Sequence, residues 1–222
     1  GTDQLGRDIF SRVLYGTRIS LLIGITAAAI AVFIGTTIGV VSGYFGKVHG
    51  EALMRFTDMF LVMPQLALMI LLAALLGRSI YIIMMVVGVT VWPWMARIIR
   101  SEVLSLKKRP FVERAISIGC SDFYLIRKHI LPNVLPLITA NAILTVPGAI
   151  VSESTLSFIG LGDPTAISWG SILSAAFNNN AIIFGLWYWF IPPGLAIVFL
   201  SVSFALIGHV TDEVLNPRLR KH

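Results

Sequence analysis

The sequence predicts an all-α protein that crosses a membrane several times. Of its 222 residues, 56% are hydrophobic and 13% are charged, and the mean hydropathy is +0.86. A soluble domain carries about 25% charged residues. With Cys120 as its single cysteine, the chain cannot form an internal disulfide. These observations exclude an ordinary soluble enzyme, a disordered chain and a secreted disulfide scaffold.

The spans follow from the long uncharged runs. A hydrocarbon core about 30 Å thick needs roughly 20 helical residues. The run from 164 to 211 is too long for one span, and it contains three adjacent asparagines that would be costly inside lipid. We therefore place segment 160–190 outside the lipid. The five predicted spans are 18–43, 57–77, 79–99, 132–158 and 191–211.

The basic residues predict the orientation, because Lys and Arg concentrate in cytoplasmic loops. The cytoplasmic side would hold the larger set, which is Lys47, Arg55, Arg97, Arg100, Lys107, Lys108, Arg109, Arg114, Arg127, Lys128, Arg218, Arg220 and Lys221. The external side would hold Arg7, Arg12, Arg18 and Arg78. Loop 101–131 and tail 218–222 are then cytoplasmic, whereas segment 1–17 and loop 160–190 are external. A chain that begins outside without a signal peptide predicts one further span upstream.

A stripe of small residues lies on one face of the first span, at Ala31, Gly35, Gly39 and Gly43. Such a stripe permits close approach of two helix backbones. It fits either a dimerisation face or packing within the bundle, and we favour packing within the bundle. Each later predicted span contains proline, at Pro64, Pro93, Pro136 with Pro147, and Pro192 with Pro193.

Polar residues inside the spans are candidates for the lining of a path across the membrane. Glu153 lies deep in the fourth span, and Ser152 and Asn141 lie on the same helix. A hydrogen-bonded structural carboxylate is an equally good interpretation of Glu153. For Asp58 we favour an interfacial residue that pairs with Arg55 or another base.

The sequence contains no recognisable arrangement of catalytic residues. No His, Cys or acidic residues have the spacing of a metal site, and neither a Ser–His–Asp set nor a nucleotide-binding loop can be assembled. We therefore predict no catalytic residue, no metal site and no cofactor in this chain.

The cytoplasmic loop is predicted to contain two helices. Pro110 suits the first position of a helix over 110–118, and Gly119 suits its end. Ser121 or Asp122 would cap a second helix that runs toward Pro132. The first helix is short and carries apolar residues, namely Phe111, Val112, Ala115, Ile116 and Ile118. It would dock either in a groove of a partner protein or on the inner surface of its own chain.

The same loop resembles the EAA loop of ABC importer permeases. The matching residues are Glu113-Arg114-Ala115, then Gly119, then Leu131-Pro132, at the spacing of that motif. Arg114 stands where the motif has its second alanine, and His129 stands where it has isoleucine. Segments Gly1–Asp8, Glu153–Gly162 and Ser168–Gly170 resemble blocks of the second, "C"-type, permease subunit of dipeptide, oligopeptide and nickel importers.

The resemblance implies a type I ABC importer permease fold with six spans, of which the first would be missing here. It also implies a heterodimer with a related permease, two ATPase subunits that bind ATP and Mg, and an external substrate-binding protein. Glu113, Arg114, Ala115 and Gly119 would belong to the coupling helix, and Leu131 and Pro132 to its joint with the fourth span. The protein would lie in the inner or plasma membrane of a prokaryote.

Three alternatives remain open on the sequence. The same machine could import nickel or another small solute in place of peptides. From other classes, the chain could be a membrane scaffold without transport, or an intramembrane enzyme, for which no paired catalytic groups are visible. In the external loop, we favour membrane anchoring for Trp187–Trp189 and binding-protein docking for the polar part, 163–180. Trp169 also suits an interfacial aromatic belt.

Overall fold

The computed structural model describes residues 1–215, so the predicted tail 218–222 lies outside the described residues. Within these residues the elements are helices joined by turns and loops, and the strand-type pairing is limited to an isolated bridge between Thr2 and Asp8. The helices are α1 Ile9–Phe45, α2 Lys47–Val62, α3 Gln65–Leu76, α4 Ile80–Lys107, α5 Pro110–Ser117, α6 Asp122–Leu125, α7 Leu131–Phe158, α8 Trp169–Asn178 and α9 Trp187–Leu215. The predicted all-α fold is confirmed.

Four helical stretches within residues 1–215 are long and apolar enough to cross a membrane. They are α1, α4, the continuous run Asp122–Phe158, and α9 from Trp187 to Val214. The pair α2 and α3 provides a fifth only if its two helices count as one broken span. Counted as one broken span, the pair brings the number to the five that the sequence predicts.

The central contact of the bundle joins α1 to α4, and the small residues of α1 make it possible. A Cβ atom on Gly35 would lie 2.6 Å from the Cβ of Met95, and one on Gly39 would lie 2.7 Å from the Cβ of Ile99. Any larger side chain would push the two helices apart. In this structure the stripe therefore serves packing within the bundle, the alternative that we favoured from the sequence.

The second predicted span, 57–77, differs from the structure. Helices α2 and α3 meet at a bend of 87°, with Met63 and Pro64 at the break. Proline disfavours the helical conformation for the residue before it, and Met63 is accordingly extended, with φ −74° and ψ 133°. The predicted start at residue 57 falls inside α2. Proline at this position bends the path sharply, where we had predicted a single span.

The second predicted helix of the loop and the fourth span form one continuous helix, Asp122–Phe158. A π turn over Ile126–Ile130 precedes Pro132, and the amide of Leu131 donates to the carbonyl of Ile126, five residues back. A wider turn accommodates a residue that has no N–H to donate. The predicted joint at Leu131-Pro132 is therefore an unbroken helix.

The loop 160–190, which we predict to be external, contains a helix, α8, that is packed into the bundle. Its N-cap Ser168 and Ser171 form a capping box, which satisfies amides at the start of the helix. Trp169 is 2% exposed and Trp189 is also buried, whereas Trp187 is 63% exposed. The predicted aromatic belt is thus wrong for Trp169 and Trp189, whose rings pack inside the protein.

Candidate coupling surface and translocation face

Helix α5 ends in a turn that only glycine adopts easily. Gly119 has a φ of +84°. Its amide donates to the carbonyl of Ile116 at 3.0 Å, and the amide of Cys120 donates to the carbonyl of Ala115 at 3.1 Å. These two bonds form a Schellman motif, which satisfies the last carbonyls of the helix. The local sequence therefore explains both the length of α5 and the direction in which the chain leaves it.

The two faces of α5 have different surroundings. Val112 and Ala115 are buried against the protein's own bundle. Phe111 and Ile116, which flank this buried face, and Ile118, at the end of the helix, are exposed, and Ile118 is 80% exposed. The sequence left two alternatives for the apolar residues of this helix. The structure shows that one part of the helix docks on its own chain, whereas the other part remains uncovered.

The motif residues take different places around this turn. Glu113 and Arg114 are exposed on α5, Ala115 is buried beneath it, and Gly119 forms the turn. Leu131 and Pro132 are exposed at the start of α7, beyond the π turn. The structure therefore brings the first four motif residues together on one helix and its cap. It separates them from the last two.

Histidine at the motif's isoleucine position has a packing role. The ring of His129 lies 6.0 Å from that of Phe111 and 5.7 Å from that of Tyr124, measured between centroids. The second contact is edge-to-face, a favoured arrangement of aromatic rings. His129 therefore connects α5 with the helix that leads into the fourth span.

Polar contacts fasten the base of the loop to two long helices. The hydroxyl of Tyr44, near the end of α1, donates to Asp122 Oδ1 at 2.6 Å. Lys107 Nζ, at the end of α4, donates to the backbone carbonyl of Tyr44 at 2.6 Å. The ammonium of Lys107 also lies 4.9 Å from the centre of the Tyr44 ring. Sequence reasoning missed Tyr44 and Lys107, because their partner groups lie far away along the chain.

An apolar cluster lies beneath the same base and joins α1, α4, α5, α6 and α7. We call it the coupling-end cluster. Its members are all buried, and they are Val40, Tyr44, Met95, Ile99, Val103, Leu106, Ala115, Leu125, Ile130, Val134 and Ile138. One packed cluster therefore includes residues of the loop and of three long helices.

The three candidates for a path lining are not brought together. Glu153 is 1% exposed and accepts hydrogen bonds from Ser157 at 2.7 Å and Ser154 at 3.3 Å. This burial favours the structural interpretation over a path lining. Ser152 is partly buried on the same helix. Asn141 instead lines a cavity of about 170 Å³ between α4 and α7.

The cavity at Asn141 is more open than the surroundings of Glu153. Trp94, Ile98 and Thr145 also line it, and the side chain of Trp94 is well exposed. The amide of Asn141 donates to the carbonyl of Leu137 at 2.9 Å, which leaves its oxygen available. Nothing in the sequence alone distinguished Trp94 from the other aromatic residues of the spans.

Two further expectations concern charged groups. Asp58 pairs with Arg97 on α4, at 2.6 Å from Oδ1 to Nη2, and both side chains are about half exposed. Its partner is thus another base and not Arg55. Within residues 1–215, no group of three His, Cys, Asp or Glu side chains is placed to hold a metal ion.

Comparison with known families gives a match over most of the chain. Residues 35–221 match the family described as "Binding-protein-dependent transport system inner membrane component". An oligopeptide transport system permease protein of Haemophilus influenzae is 41% identical over 222 residues, covering 99% of this chain and 70% of that protein. A dipeptide transport system permease protein of Bacillus subtilis is 38% identical, covering 100% of this chain and 69% of that protein.

Solved structures show the same fold at low sequence identity. A chain of the MetNI methionine ABC transporter, in an inward-facing conformation, superposes with a TM-score of 0.72 at 17% identity, covering 93% of this chain and 97% of that chain. A chain of an amino acid ABC transporter superposes with a TM-score of 0.57 at 18% identity, covering 96% of this chain and 99% of that chain. At such identities the likeness concerns the fold alone.

Proposed function

The chain belongs to the family of binding-protein-dependent transport system inner membrane components, and on this premise we propose that it is a permease subunit of an ATP-driven importer of dipeptides or oligopeptides. It would form half of a translocation path with a second, related permease. ATP would bind and be hydrolysed with Mg in two partner ATPase subunits. An external binding protein would deliver the peptide.

The observation that carries the coupling role is the set of uncovered apolar residues at the end of α5. Ile116 and Ile118 are exposed at the end of the molecule where basic residues concentrate, which the positive-inside rule places in the cytoplasm. No lipid tails are available there to cover them. A groove on an ATPase subunit would bury these side chains, and Glu113 and Arg114 beside them would contribute polar contacts at the rim.

Coupling also requires a stiff connection between α5 and the spans. The coupling-end cluster and the bonds of Tyr44 and Lys107 support such a connection. ATP binding would draw the two ATPases together and move α5 with its counterpart in the other permease. Because Asp122–Phe158 is one helix, that displacement would pass into the fourth span and change the side from which the path is open.

Peptide is the substrate class that the relatives favour. The permeases of Haemophilus influenzae and Bacillus subtilis are named for oligopeptide and dipeptide transport, and they are similar over nearly the whole chain. The nickel alternative has no such support among them. Transport would pass the surface of α4 and α7 near Asn141, and Ser152 and Glu153 would be secondary candidates.

The coupling proposal is tested by Ile118→Asp with Ile183→Asp as the matched control. Ile118 and Ile183 are equally exposed, at 80% and 79%, but Ile183 lies in the external loop. A charge at Ile118 would have to be desolvated in the ATPase groove. We expect Ile118→Asp to lose the ATPases during purification in mild detergent, while Ile183→Asp retains them. Equal retention by both variants would contradict the coupling role.

The substrate is tested by uptake of a labelled dipeptide and of nickel in cells that lack this chain. Restoring the chain should restore ATP-dependent peptide uptake and leave nickel uptake unchanged. Nickel uptake alone would transfer the assignment to the nickel alternative. If neither solute is taken up although all partner subunits co-purify, the peptide assignment is wrong and the coupling result still stands.

A further inference from the structure

A second polar cavity lies between α2 and α4 and has no part in the coupling surface. Its volume is about 280 Å³. The cavity combines two arginines, an aspartate and a serine with apolar side chains, so it is amphipathic. Its lining residues are Met54, Asp58, Arg97, Arg100, Ser101 and Leu104.

The depth of this cavity follows from the length of α4. The helix begins at Ile80, and an α-helix rises about 1.5 Å per residue, so Arg97 lies about 26 Å and Arg100 about 30 Å along its axis. The hydrocarbon core of a bilayer is about 30 Å thick. With the start of α4 at the external interface, the two arginines lie at the level of the lipid headgroups on the cytoplasmic side.

The arginines of the cavity differ in their partners. Arg97 is bound to Asp58, so its charge is largely balanced. Arg100 Nε is buried and has no hydrogen-bond acceptor within the part of the chain that the structure describes. A buried donor without an acceptor is unfavourable. An anionic oxygen inside the cavity would satisfy this donor and balance the remaining positive charge.

The surroundings favour an acceptor that carries acyl chains. Met54 and Leu104 form the apolar part of the lining. On α2, the helix that supplies Met54, Phe56 and Met59 also expose large apolar surfaces. A phospholipid would place its phosphate at Arg100 and its chains along this surface, as basic pockets between spanning helices do for anionic lipids.

We propose that this cavity binds the phosphate group of an anionic phospholipid of the cytoplasmic leaflet, with Arg100 Nε as a donor to a phosphate oxygen. Ser101 supplies a hydroxyl at the rim of the cavity. Free phosphate offers the same oxygen atoms, and a carboxylate of a partner subunit offers similar ones. Both are outcomes that the experiment distinguishes.

The test measures lipid retention by the assembled complex, purified in mild detergent, with native mass spectrometry. Phosphatidylglycerol and phosphatidylcholine are added separately to the wild type, Arg100→Gln and Arg55→Gln. Arg55 is an exposed arginine of α2 outside the cavity, so it is the matched control. We expect Arg100→Gln to retain about tenfold less phosphatidylglycerol, the effect of one charge-assisted hydrogen bond. Retention by Arg55→Gln should stay within about twofold of the wild type.

Further arms identify the occupant and do not depend on the folding of the glutamine variant. A phosphatidylglycerol with a photoreactive headgroup, applied to the wild-type complex, should label peptides that contain Met54 or Arg100. Inorganic phosphate should not compete with it. Equal retention by Arg100→Gln and the wild type, or competition by inorganic phosphate, would overturn the lipid site. So would labelling confined to other subunits, which would show that a partner covers the cavity.

Discussion

Two short helices at opposite ends of the bundle, α5 and α8, meet the same requirement for packing in opposite ways. Both are short and both end in a Schellman turn, at Gly119 and at Asn180. Helices of this length are marginal unless they are packed. Helix α8 has a capping box and a buried face, whereas α5 has no side-chain cap and leaves apolar residues uncovered.

The difference lies in where each helix finds its partners. The indole N–H of Trp169 donates to the carbonyl of Val13 at 2.9 Å, and the amide of Trp169 donates to the Ser20 hydroxyl at 3.2 Å. A Cβ atom on Gly170 would lie 2.6 Å from the Cα of Ser154, so α8 also fits closely on α7. The chain itself therefore supplies the packing partners that α8 needs. It supplies only some of those that α5 needs, which is the property expected of a surface that another protein binds.

The largest expected effect is the loss of the Trp169 side chain. Trp169→Ala should lower the free energy of unfolding by about 3–5 kcal/mol, because it empties a large buried volume and removes a hydrogen bond. Trp187→Ala is the matched control, since that ring is 63% exposed. Thermal unfolding in detergent, followed by circular dichroism, measures both variants. Equal midpoints for the two variants would contradict the view that contacts within the chain stabilise α8.

Variants of Glu153 test whether this carboxylate only stabilises the fold or also serves transport. Glu153→Ala should cost about 1–3 kcal/mol, because the hydroxyls of Ser154 and Ser157 lose a buried acceptor. Glu153→Gln keeps an acceptor oxygen and should retain stability and peptide uptake. A stable Glu153→Gln variant with strongly reduced uptake would instead place this carboxylate on the path.

Gly119 and Gly160 have the same left-handed backbone conformation at opposite ends of the bundle. A side chain at either position would therefore be strained to the same extent. Their φ angles are +84° and +86°, and no atom lies within 4 Å of a Cβ built on either residue. Substitution by aspartate should cost about 1–2 kcal/mol at both positions, since left-handed backbone disfavours a side chain. Peptide uptake and ATPase retention should fall in Gly119→Asp and persist in Gly160→Asp. Normal uptake by Gly119→Asp would contradict the role of this turn in coupling.

The smallest expected effect is the pH dependence of the stability that Asp163 contributes. Asp163 accepts from the Thr165 hydroxyl at 2.6 Å, from the Thr165 amide at 2.8 Å and from the Ile80 amide at 3.2 Å. The bond from the Thr165 hydroxyl contributes most to holding the pKa of Asp163 below its ordinary value of 3.8, and burial opposes it. A lowered pKa means that the stabilisation is complete above about pH 4 and is lost as pH falls through the lower folded value.

Asp163→Asn measures this contribution. The difference in unfolding midpoint between the wild type and the variant should be present at pH 7 and should shrink at about pH 3. Glu51→Gln, a change at an exposed position of α2, controls for general effects of acid. A difference that is unchanged at low pH would show that the charge of Asp163 does not contribute.

Local chemistry explains what could be predicted of the coupling surface. Pro110 and Gly119 delimit α5 in the structure as the sequence predicted, because each acts on its own backbone. A proline predicts a kink in the second span, but the angle of 87° at Pro64 was not predicted. Proline permits a wide range of kink angles, and packing selects one of them.

Long-range pairing explains what could not be predicted. The bond between Tyr44 and Asp122 joins residues 78 positions apart, and neither side chain is unusual in its local sequence. Trp169 carried the aromatic signal of an interface, yet its ring is buried against α1. The same residue type serves both purposes, so only its neighbours in space distinguish them.

From the sequence we could predict that the chain is helical, that its long apolar runs suit a bilayer, and where the short helix α5 begins and ends. These properties depend on composition, helix length and single-residue backbone preferences. Which apolar and polar groups find partners within the chain became clear from the three-dimensional packing. Burial of Trp169 and Glu153 and exposure of Ile118 depend on contacts between distant segments, and the pattern along the chain does not specify such contacts.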